Sequence, residues 1–305
     1  MGDRAVAGQE GRVSHPVAVP APMKKPLLAL VLLAFLVFAG CGSGSEETDT
    51  GAATSAASCK PGQLPTEQPG VLTIATDKPA YPPYFEDDDP TNGEGFESAI
   101  AYAIADRLGY PKAKVKWTVE PFNSSFAPGP KDFDFDVNQI SITPPREKAV
   151  DFSAPYYTAN QAVVALKDSD AAKASSLEDL QDANLGVQIG TTSLEAAEAE
   201  IGPSSRPEVF NNSNDVVQAL KNRQIDAVVV DLPTALYLTA VQVPEAAVIG
   251  QFSAPGGDQW GALLEKDSEL TGCVSQAVEA LEDSGELEKI TQRWMSQAAG
   301  APELS

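Results

Sequence analysis

The sequence predicts an α/β protein, because short apolar runs of strand length alternate with longer segments of helical periodicity. The alternation begins near residue 70 and continues to the last third of the chain. A chain of 305 residues with 43% apolar residues can also bury a substantial core. Alternating strands and helices favour sheets flanked by helices, so we expect this architecture from residue 70 onward.

The first part of this pattern contains four predicted strands and one clear helix. The strand predictions are VLTIAT (71–76), KVKWTV (114–119), FDFDVNQIS (133–141) and QAVVAL (161–166). The helix is predicted over residues 97–108, where Ile100, Ile104 and Leu108 are one turn apart. Gly109 follows immediately and is typical of a helix end.

A second unit is predicted after the polar segment DSDAAKASS. Ser175 and Glu178 have the spacing of a capping box, which predicts that a helix starts there. The elements predicted after it are the strand LGVQI, the helix GTTSLEAAEAE, the strand PEVF, the helix NDVVQALKN, the strand IDAVVVD, the helix LPTALYLTA and the strand AAVIG. Amphipathic helices are predicted in CVSQAVEALED and ELEKITQRWM near the end of the chain.

The N-terminal part resembles an export signal. Two lysines precede the apolar run 27–38, which is shorter than the roughly 20 residues that a membrane span requires. Ala39-Gly40-Cys41 resembles a bacterial lipobox, so we expect residues 1–40 to be a signal segment and Cys41 to be lipidated. Met23 stands directly before the two lysines, so translation that starts there would give a leader of the usual form. The alternative is a leader cleaved nearby and a freely secreted product.

The small and acidic residues that follow Cys41 predict a flexible tether over 41–69. The formal net charge of -22 disfavours nucleic acid and anionic lipid as partners. His15 is the single histidine and lies in the signal segment. Once the signal segment is removed the mature chain has no histidine, which excludes catalysis by a histidine base and histidine-ligated metal sites. We expect no metal and no cofactor.

Two cysteines remain once Cys41 is lipidated. Cys59 and Cys273 form an even pair in an oxidising compartment, which predicts a disulfide between them. The alternative is two unpaired thiols.

A single arginine stands out in the segment SITPPREKAVDFSAPYY. Arg146 follows an apolar strand and is surrounded by hydroxyl groups. Its guanidinium can bind a carboxylate through two parallel hydrogen bonds, so we interpret it as an anion clamp. The alternative is an exposed salt bridge to Glu147 or Asp151, which would contribute little.

Further candidates lie at predicted strand ends. Thr191 and Thr192 lie where a strand gives way to a helix start, and Thr192 has capping-box spacing to Glu195. Asp231 ends the strand IDAVVVD, at the edge where open α/β sheets bind ligands, and could accept from an ammonium group. Its alternative role is to cap the next helix.

Aromatic residues follow the first two strands. Tyr81 lies with Asp77 in a proline-rich loop, and Phe122 follows the next strand. Such rings can line a pocket, although most aromatic residues belong to the core.

Five segments in order resemble the polar amino-acid family of bacterial extracellular solute-binding proteins, the receptor components of ABC importers. They are TDKPAYPPYFE, GEGFESAIAYAIADRLG, SITPPREKAVDFSAPYY, GVQIGTTSLE and DAVVVDLPTA, and the resemblance covers about residues 70–295. It implies a two-lobed periplasmic-binding-protein-like type II fold with a ligand cleft between the lobes. Two crossover strands are expected near 160–168 and 247–253. Lobe 1 would comprise 70–164 and 252–305, and lobe 2 would comprise 165–251.

The resemblance also implies roles for site residues. Arg146 would bind the ligand's α-carboxylate with help from Ser141 and Thr192, Asp231 would bind the α-ammonium, and Tyr81 would pack on the ligand. The remaining ligand-binding candidates are Asp77, Phe122, Asn138, Gln139, Gln188 and Thr191. Asn138 and Gln139 stand where relatives often have small or hydroxyl residues, at positions expected to select the side chain.

The implied function is that of a monomeric, lipid-anchored receptor. It would bind a free amino acid at the outer face of the cytoplasmic membrane or in the periplasm, and deliver it to an ABC transporter permease without chemistry. The alternatives are a dehydratase of the same fold acting on an arogenate-like or prephenate-like substrate, and a sensor or structural lipoprotein without a permease.

Overall fold

Two five-stranded sheets with flanking helices form the protein, which confirms the α/β class. The structure is a computed structural model that describes residues 59–254, 256–296 and 300–305. The signal segment, most of the tether and Cys41 lie outside the described residues. Among the described residues, no helix is long and apolar enough to cross a membrane.

The regular elements follow the predicted alternation. The strands are β1 Leu72–Thr76, β2 Val115–Val119, β3 Phe135–Asp136, β4 Val150–Ala159, β5 Gln161–Leu166, β6 Leu185–Gln188, β7 Glu208–Phe210, β8 Ala227–Asp231, β9 Ala246–Phe252 and β10 Asp258–Glu265. The α-helices are α1 Phe96–Arg107, α2 Phe122–Ser125, α3 Pro144–Glu147, α4 Thr192–Ala196, α5 Ser213–Lys221, α6 Leu232–Tyr237, α7 Thr271–Asp283 and α8 Glu286–Met295. Five-residue π-helical segments extend α4 and α6.

The first sheet has the strand order β2-β1-β3-β10-β4. Strand β1 pairs in parallel with β2 and β3, whereas β10 runs antiparallel to β3 and β4. The second sheet has the order β7-β6-β8-β5-β9, with β6 parallel to β7 and β8, and with β5 antiparallel to β8 and β9. The chain thus passes between the sheets from β4 to β5 and again from β9 to β10. The lobe boundaries themselves remain a prediction.

Helix α1 packs on the first sheet through the face that the sequence predicted. Ile100 and Ile104 are fully buried with Phe96 in the largest apolar cluster. The chain enters the helix at Gly95, whose φ is +98°, and a Cβ there would lie 2.4 Å from the carbonyl oxygen of Tyr84. Only glycine fits this close approach, which explains the glycine before the helix.

Strand β3 is shorter than the predicted strand 133–141. Asp134 lies just before it, and its carboxylate accepts hydrogen bonds from the backbone amides of Glu67 and Thr73, at 2.8 and 2.6 Å. Beyond the strand the chain turns at Gln139, whose φ of +49° is incompatible with an extended strand.

The first predicted capping box does not form. The segment around Ser175 forms a 3₁₀ turn, Glu178–Leu180, rather than a longer helix. Asp179 accepts from the backbone amides of Ser175 and Ser176 at 2.9 and 3.1 Å, and its own amide donates to the Ser176 hydroxyl at 3.3 Å. The capping pair is therefore shifted by one residue from the predicted one.

The second predicted capping box is also wrong. Helix α4 begins at Thr192, so Thr191 occupies the N-cap position without a side-chain capping bond. The Thr191 hydroxyl donates instead to the carbonyl of Gln188 at 2.8 Å.

The disulfide between Cys59 and Cys273 is confirmed. It joins residues 214 positions apart whose Cα atoms are separated by 5.5 Å. Cys273 is buried in α7 against the apolar cluster of the first sheet, so the bridge attaches the N-terminal end of the described chain to that core.

The C-terminal residues pack on the second sheet. The amide of Gln251 in β9 donates to the carbonyl of Pro302 at 2.7 Å, and the amide of Leu304 donates to the carbonyl of Gln251 at 2.8 Å. The side chain of Leu304 is buried against Gly250, where a Cβ would lie 2.5 Å from it. Asn160, between β4 and β5, donates to the Gln251 side chain at 2.8 Å.

Candidate functional site

A cavity of about 610 Å³ lies between loops that follow strands of both sheets. Its lining includes residues at the carboxyl ends of β1, β6 and β8, the edge where ligands bind in open α/β sheets. The structure brings all eleven predicted ligand-binding residues to this lining: Asp77, Tyr81, Phe122, Asn138, Gln139, Ser141, Arg146, Gln188, Thr191, Thr192 and Asp231.

Arg146 lies in the short helix α3 and its side chain is 9% exposed. The guanidinium donates to the carbonyl of Ser141 at 2.7 Å and, at 2.8 Å, to the carbonyl of Gly190 in the turn that follows β6 of the second sheet. It also lies 4.6 Å from the ring centre of Phe126 and 5.6 Å from that of Phe122. Carbonyl groups and aromatic faces thus fix the orientation of a buried cation.

The alternative of a local surface salt bridge does not hold. Asp151 pairs with Lys266 at 2.9 Å, and no salt bridge involves Arg146 within the described residues. Burial lowers the pKa of Arg146, while the negative charges of Asp258 and Asp231 act in the opposite direction. A guanidinium has five N–H donors, so Arg146 retains donors for an anionic group in the cavity.

Hydroxyl groups from the two sheets meet beside this arginine. Thr192 Oγ1 lies 3.3 Å from Ser141 Oγ and donates to Asp258 Oδ2 at 2.8 Å.

Asp231 is partly exposed to the cavity at the end of β8. It occupies the N-cap position of α6, but its side chain makes no capping bond there. The carboxylate accepts instead from Gln161 Nε2 at 2.7 Å. Burial raises the pKa of Asp231 well above its ordinary value, and the negative charge of Asp258 raises it further. A ligand ammonium group would offset both effects.

Gln139 is held by a buried carboxylate beneath the cavity. Glu97 accepts from the Gln139 backbone amide at 2.7 Å, from the Gln139 side-chain amide, and from the Tyr156 hydroxyl at 2.5 Å. Burial raises the pKa of Glu97 to about 7, although these hydrogen bonds lower it. The neighbouring Asn138 has a buried Nδ2 with no partner among the described residues, so it retains a donor.

Tyr81 and Asp77 form another part of the wall. The Tyr81 hydroxyl donates at 2.8 Å to Asn214 of helix α5, which packs on the second sheet, and its ring centre lies 6.1 Å from that of Tyr237. Asp77 accepts from the backbone amide of Phe122 at 3.2 Å, which fixes its carboxylate at the end of β1. Gln188 is likewise fixed, because its side-chain oxygen accepts from the Ser213 hydroxyl at 2.6 Å.

Besides Glu97, sequence reasoning missed two further residues that support the site. Gln161 is fully buried at the start of β5 and its Nε2 donates to both Asp231 and Asp258, each at 2.7 Å. The only signal for Gln161 is a polar residue that begins an otherwise apolar strand. Asp258 follows a glycine-rich loop and resembles an ordinary turn residue in the sequence.

Two sheets and a cavity lined by one buried arginine and one strand-end aspartate fit a protein that binds a small ligand carrying both charges. Residues 72–297 match the family of "Bacterial extracellular solute-binding proteins, family 3". The chain belongs to this family. The described residues contain no acidic or cysteine cluster that could hold a metal ion.

Individual relatives support the family and the fold. The chain is 32% identical over 282 residues to the arginine-binding extracellular protein ArtP of Bacillus subtilis, covering 90% of this chain and 99% of ArtP. A solved ancestral arginine-binding protein bound to glutamine is 32% identical, with a TM-score of 0.62 over 74% of this chain and 98% of that one. The ancestral amino acid-binding protein AncCDT-1, a precursor of cyclohexadienyl dehydratase, is 31% identical, with a TM-score of 0.59 over 73% and 94% of the two chains.

Proposed function

We propose that the protein binds one free amino acid between two lobes and delivers it to an ABC transporter permease. The observation that carries this proposal is a buried Arg146 without a carboxylate partner in the described chain, in the same cavity as Asp231. The arginine suits an α-carboxylate and the aspartate suits an α-ammonium group. Because Arg146 lies in α3 beside the first sheet and Asp231 ends β8 of the second, one zwitterion would be held by both lobes.

The charges of the lining favour an amino acid with a cationic or amide side chain. Asp77 takes part in no salt bridge within the described residues, so its carboxylate can accept from the N–H groups of a cationic or amide side chain. The relative ArtP is named for arginine, and a second relative is solved with glutamine bound. We therefore propose arginine as the first candidate ligand.

The lobes would close on the ligand by a hinge at the two crossovers. The hydrogen bonds of Tyr81 with Asn214 and of Arg146 with Gly190, which join the two sides of the cavity, support this proposal and would break when the cleft opens. The receptor would act as a monomer, exported and tethered to the outer face of the cytoplasmic membrane by a lipid on Cys41. No covalent step is required for this role.

A thermal-shift panel of the twenty amino acids and cystine tests the proposal. A ligand that binds only the folded state raises stability by RT ln(1 + [L]/Kd), about 2.7 kcal/mol at a hundredfold excess over Kd. Arg146→Ala should abolish the shift, because it removes the buried cation that would bind the carboxylate. The matched control is Arg206→Ala, which removes an exposed arginine paired with Glu198 and should leave the shift unchanged.

Two results would contradict the amino-acid receptor. The first is the absence of a shift with every compound of the panel. The second is release of an aromatic product from an arogenate-like or prephenate-like substrate, which would favour the dehydratase alternative.

A further inference from the structure

A continuous series of side-chain contacts connects the two charged ends of the cavity. Gln161 Nε2 donates to Asp231 Oδ1 and to Asp258 Oδ2, each at 2.7 Å. Thr192 Oγ1 donates to the same Asp258 oxygen at 2.8 Å and lies 3.3 Å from Ser141 Oγ. Asp258 is the middle member of this series, although its side chain is not part of the cavity lining.

Asp258 lies where the chain returns from the second sheet to the first. It is the first residue of β10 and pairs with Ala159 at the end of β4. Its partner Gln161 is the first residue of β5, two positions after Ala159. A hydrogen bond between Gln161 and Asp258 therefore joins the two segments that connect the sheets, at the place where a hinge would bend.

The electrostatic setting of Asp258 is unfavourable for a residue with a purely structural role. The side chain is 2% exposed, and its Oδ1 is buried with no hydrogen-bond partner among the described residues. No salt bridge involves it in the described chain, although its negative charge acts on the buried Arg146. Burying a carboxylate without a paired cation is costly. The two groups that donate to Asp258, however, serve the cavity: Thr192 lines it, and Gln161 holds Asp231, which lines it.

We propose that Asp258 is a positioning residue of the amino-acid site. It orients the Thr192 hydroxyl at the carboxylate end and, through Gln161, the Asp231 carboxylate at the ammonium end. This inference rests on the proposed function. It adds that the second crossover contributes to ligand affinity without touching the ligand.

The negative charge of Asp258 gives a way to distinguish the positioning role from a purely structural one, because it acts on the pKa of Asp231 and therefore on how ligand affinity depends on pH. Burial raises the pKa of Asp231 most, and the charges of Asp258 and Glu97 raise it further, whereas the hydrogen bond from Gln161 and the charge of Arg146 lower it. The ring hydroxyls of Tyr84 and Tyr157 also lie in the field of Asp231, and burial raises the pKa of both above the ordinary value, so they remain neutral. Removing the negative charge at position 258 should therefore let Asp231 ionise at lower pH.

Calorimetric titration with L-arginine, or with any panel amino acid that gives a larger shift, tests this role across a pH series. Asp258→Ala removes both acceptor contacts and should raise Kd about tenfold or more, since buried donors are left unpaired. Asp258→Asn retains an oxygen in the same place and should bind within about threefold of wild type at neutral pH. Its loss of affinity on acidification should begin at lower pH than in wild type.

Asp267→Asn is the matched control, because Asp267 is exposed beyond the end of the same strand. Its φ of +62° is a conformation that asparagine tolerates. This variant should bind like wild type with an unchanged pH profile.

The outcomes separate the inference from the function on which it rests. Wild-type binding with no loss in Asp258→Ala, or an equal loss in the Ala and Asn variants, overturns the positioning role alone. If the Ala variant does not fold, the Asn variant decides: the positioning role is overturned if Asp258→Asn loses affinity on acidification at the same pH as wild type. Absence of any ligand for the wild type overturns both proposals.

Discussion

The buried carboxyl group of Glu97 makes folding stability depend on pH in a direction that can be tested. Glu97 lies in α1, is fully buried, and accepts hydrogen bonds from Gln139 and Tyr156. Burial is the largest influence and raises the pKa of Glu97 from 4.5 to about 7. The perturbation of interest is Glu97→Gln, which keeps the size of the side chain and removes its titration.

The direction in which the free energy of unfolding changes with pH follows from proton binding. Between pH 4.5 and about 7 the folded protein holds a proton on Glu97 that the unfolded chain releases, because the folded pKa is raised. The contribution of Glu97 is therefore complete below pH 4.5 and is lost as the pH rises through about 7. One pKa unit corresponds to about 1.4 kcal/mol, so the loss is on the order of 3 kcal/mol.

Urea unfolding followed by tryptophan fluorescence at several pH values measures this difference. The free energy of unfolding of wild type, minus that of Glu97→Gln, should fall by roughly 3 kcal/mol between pH 4.5 and 8. Asp134, whose pKa burial raises to about 6, titrates in both proteins and largely cancels. The control Glu200→Gln alters an exposed residue and should give a constant difference. A constant difference for Glu97→Gln as well would refute the reasoning.

Two further predictions concern the cysteines. Reduction of the Cys59–Cys273 bridge, which spans 214 positions, should lower the free energy of unfolding by up to about 5 kcal/mol in the chain-entropy treatment. Urea midpoints with and without reductant measure the effect, and equal midpoints after verified reduction would contradict it. Cys41→Ser should move the protein from the membrane fraction to the soluble fraction of the producing cell, since one lipid anchor is lost. Identical fractionation of variant and wild type would argue against the anchor.

The positions of the charged site residues could be predicted because each follows a recognisable local pattern. Asp231 ends an apolar strand, and Arg146 follows another. Each residue could thus be placed at a ligand-binding edge of its own sheet, but the two belong to different sheets, and only the family resemblance implied that they share one cleft. The two capping boxes were predicted wrongly because their local pattern is ambiguous. Neighbouring serine, threonine and aspartate residues offer alternative local hydrogen bonds of similar energy.

The support beneath the site could not be predicted from local patterns. Gln161 and Asp258 are 97 positions apart, and Thr192 and Asp258 are 66 apart. No periodicity or spacing encodes such contacts, because they depend on how the two crossovers pack against each other. Glu97 was equally hidden, since an acidic residue in the first turn of a helix normally serves the helix dipole, whereas here it is buried against Gln139.

The attachment of the C-terminal residues to β9 changes how the two halves can move. Helix α8 packs with the first sheet, while Leu304 and Pro302 are bound to Gln251 of the second. The polypeptide therefore links the halves three times rather than twice. Gln251 also accepts from Asn160 in the first crossover, so the described C-terminal residues are attached to β9 beside that crossover. Any opening of the cleft must therefore either keep these contacts or break them.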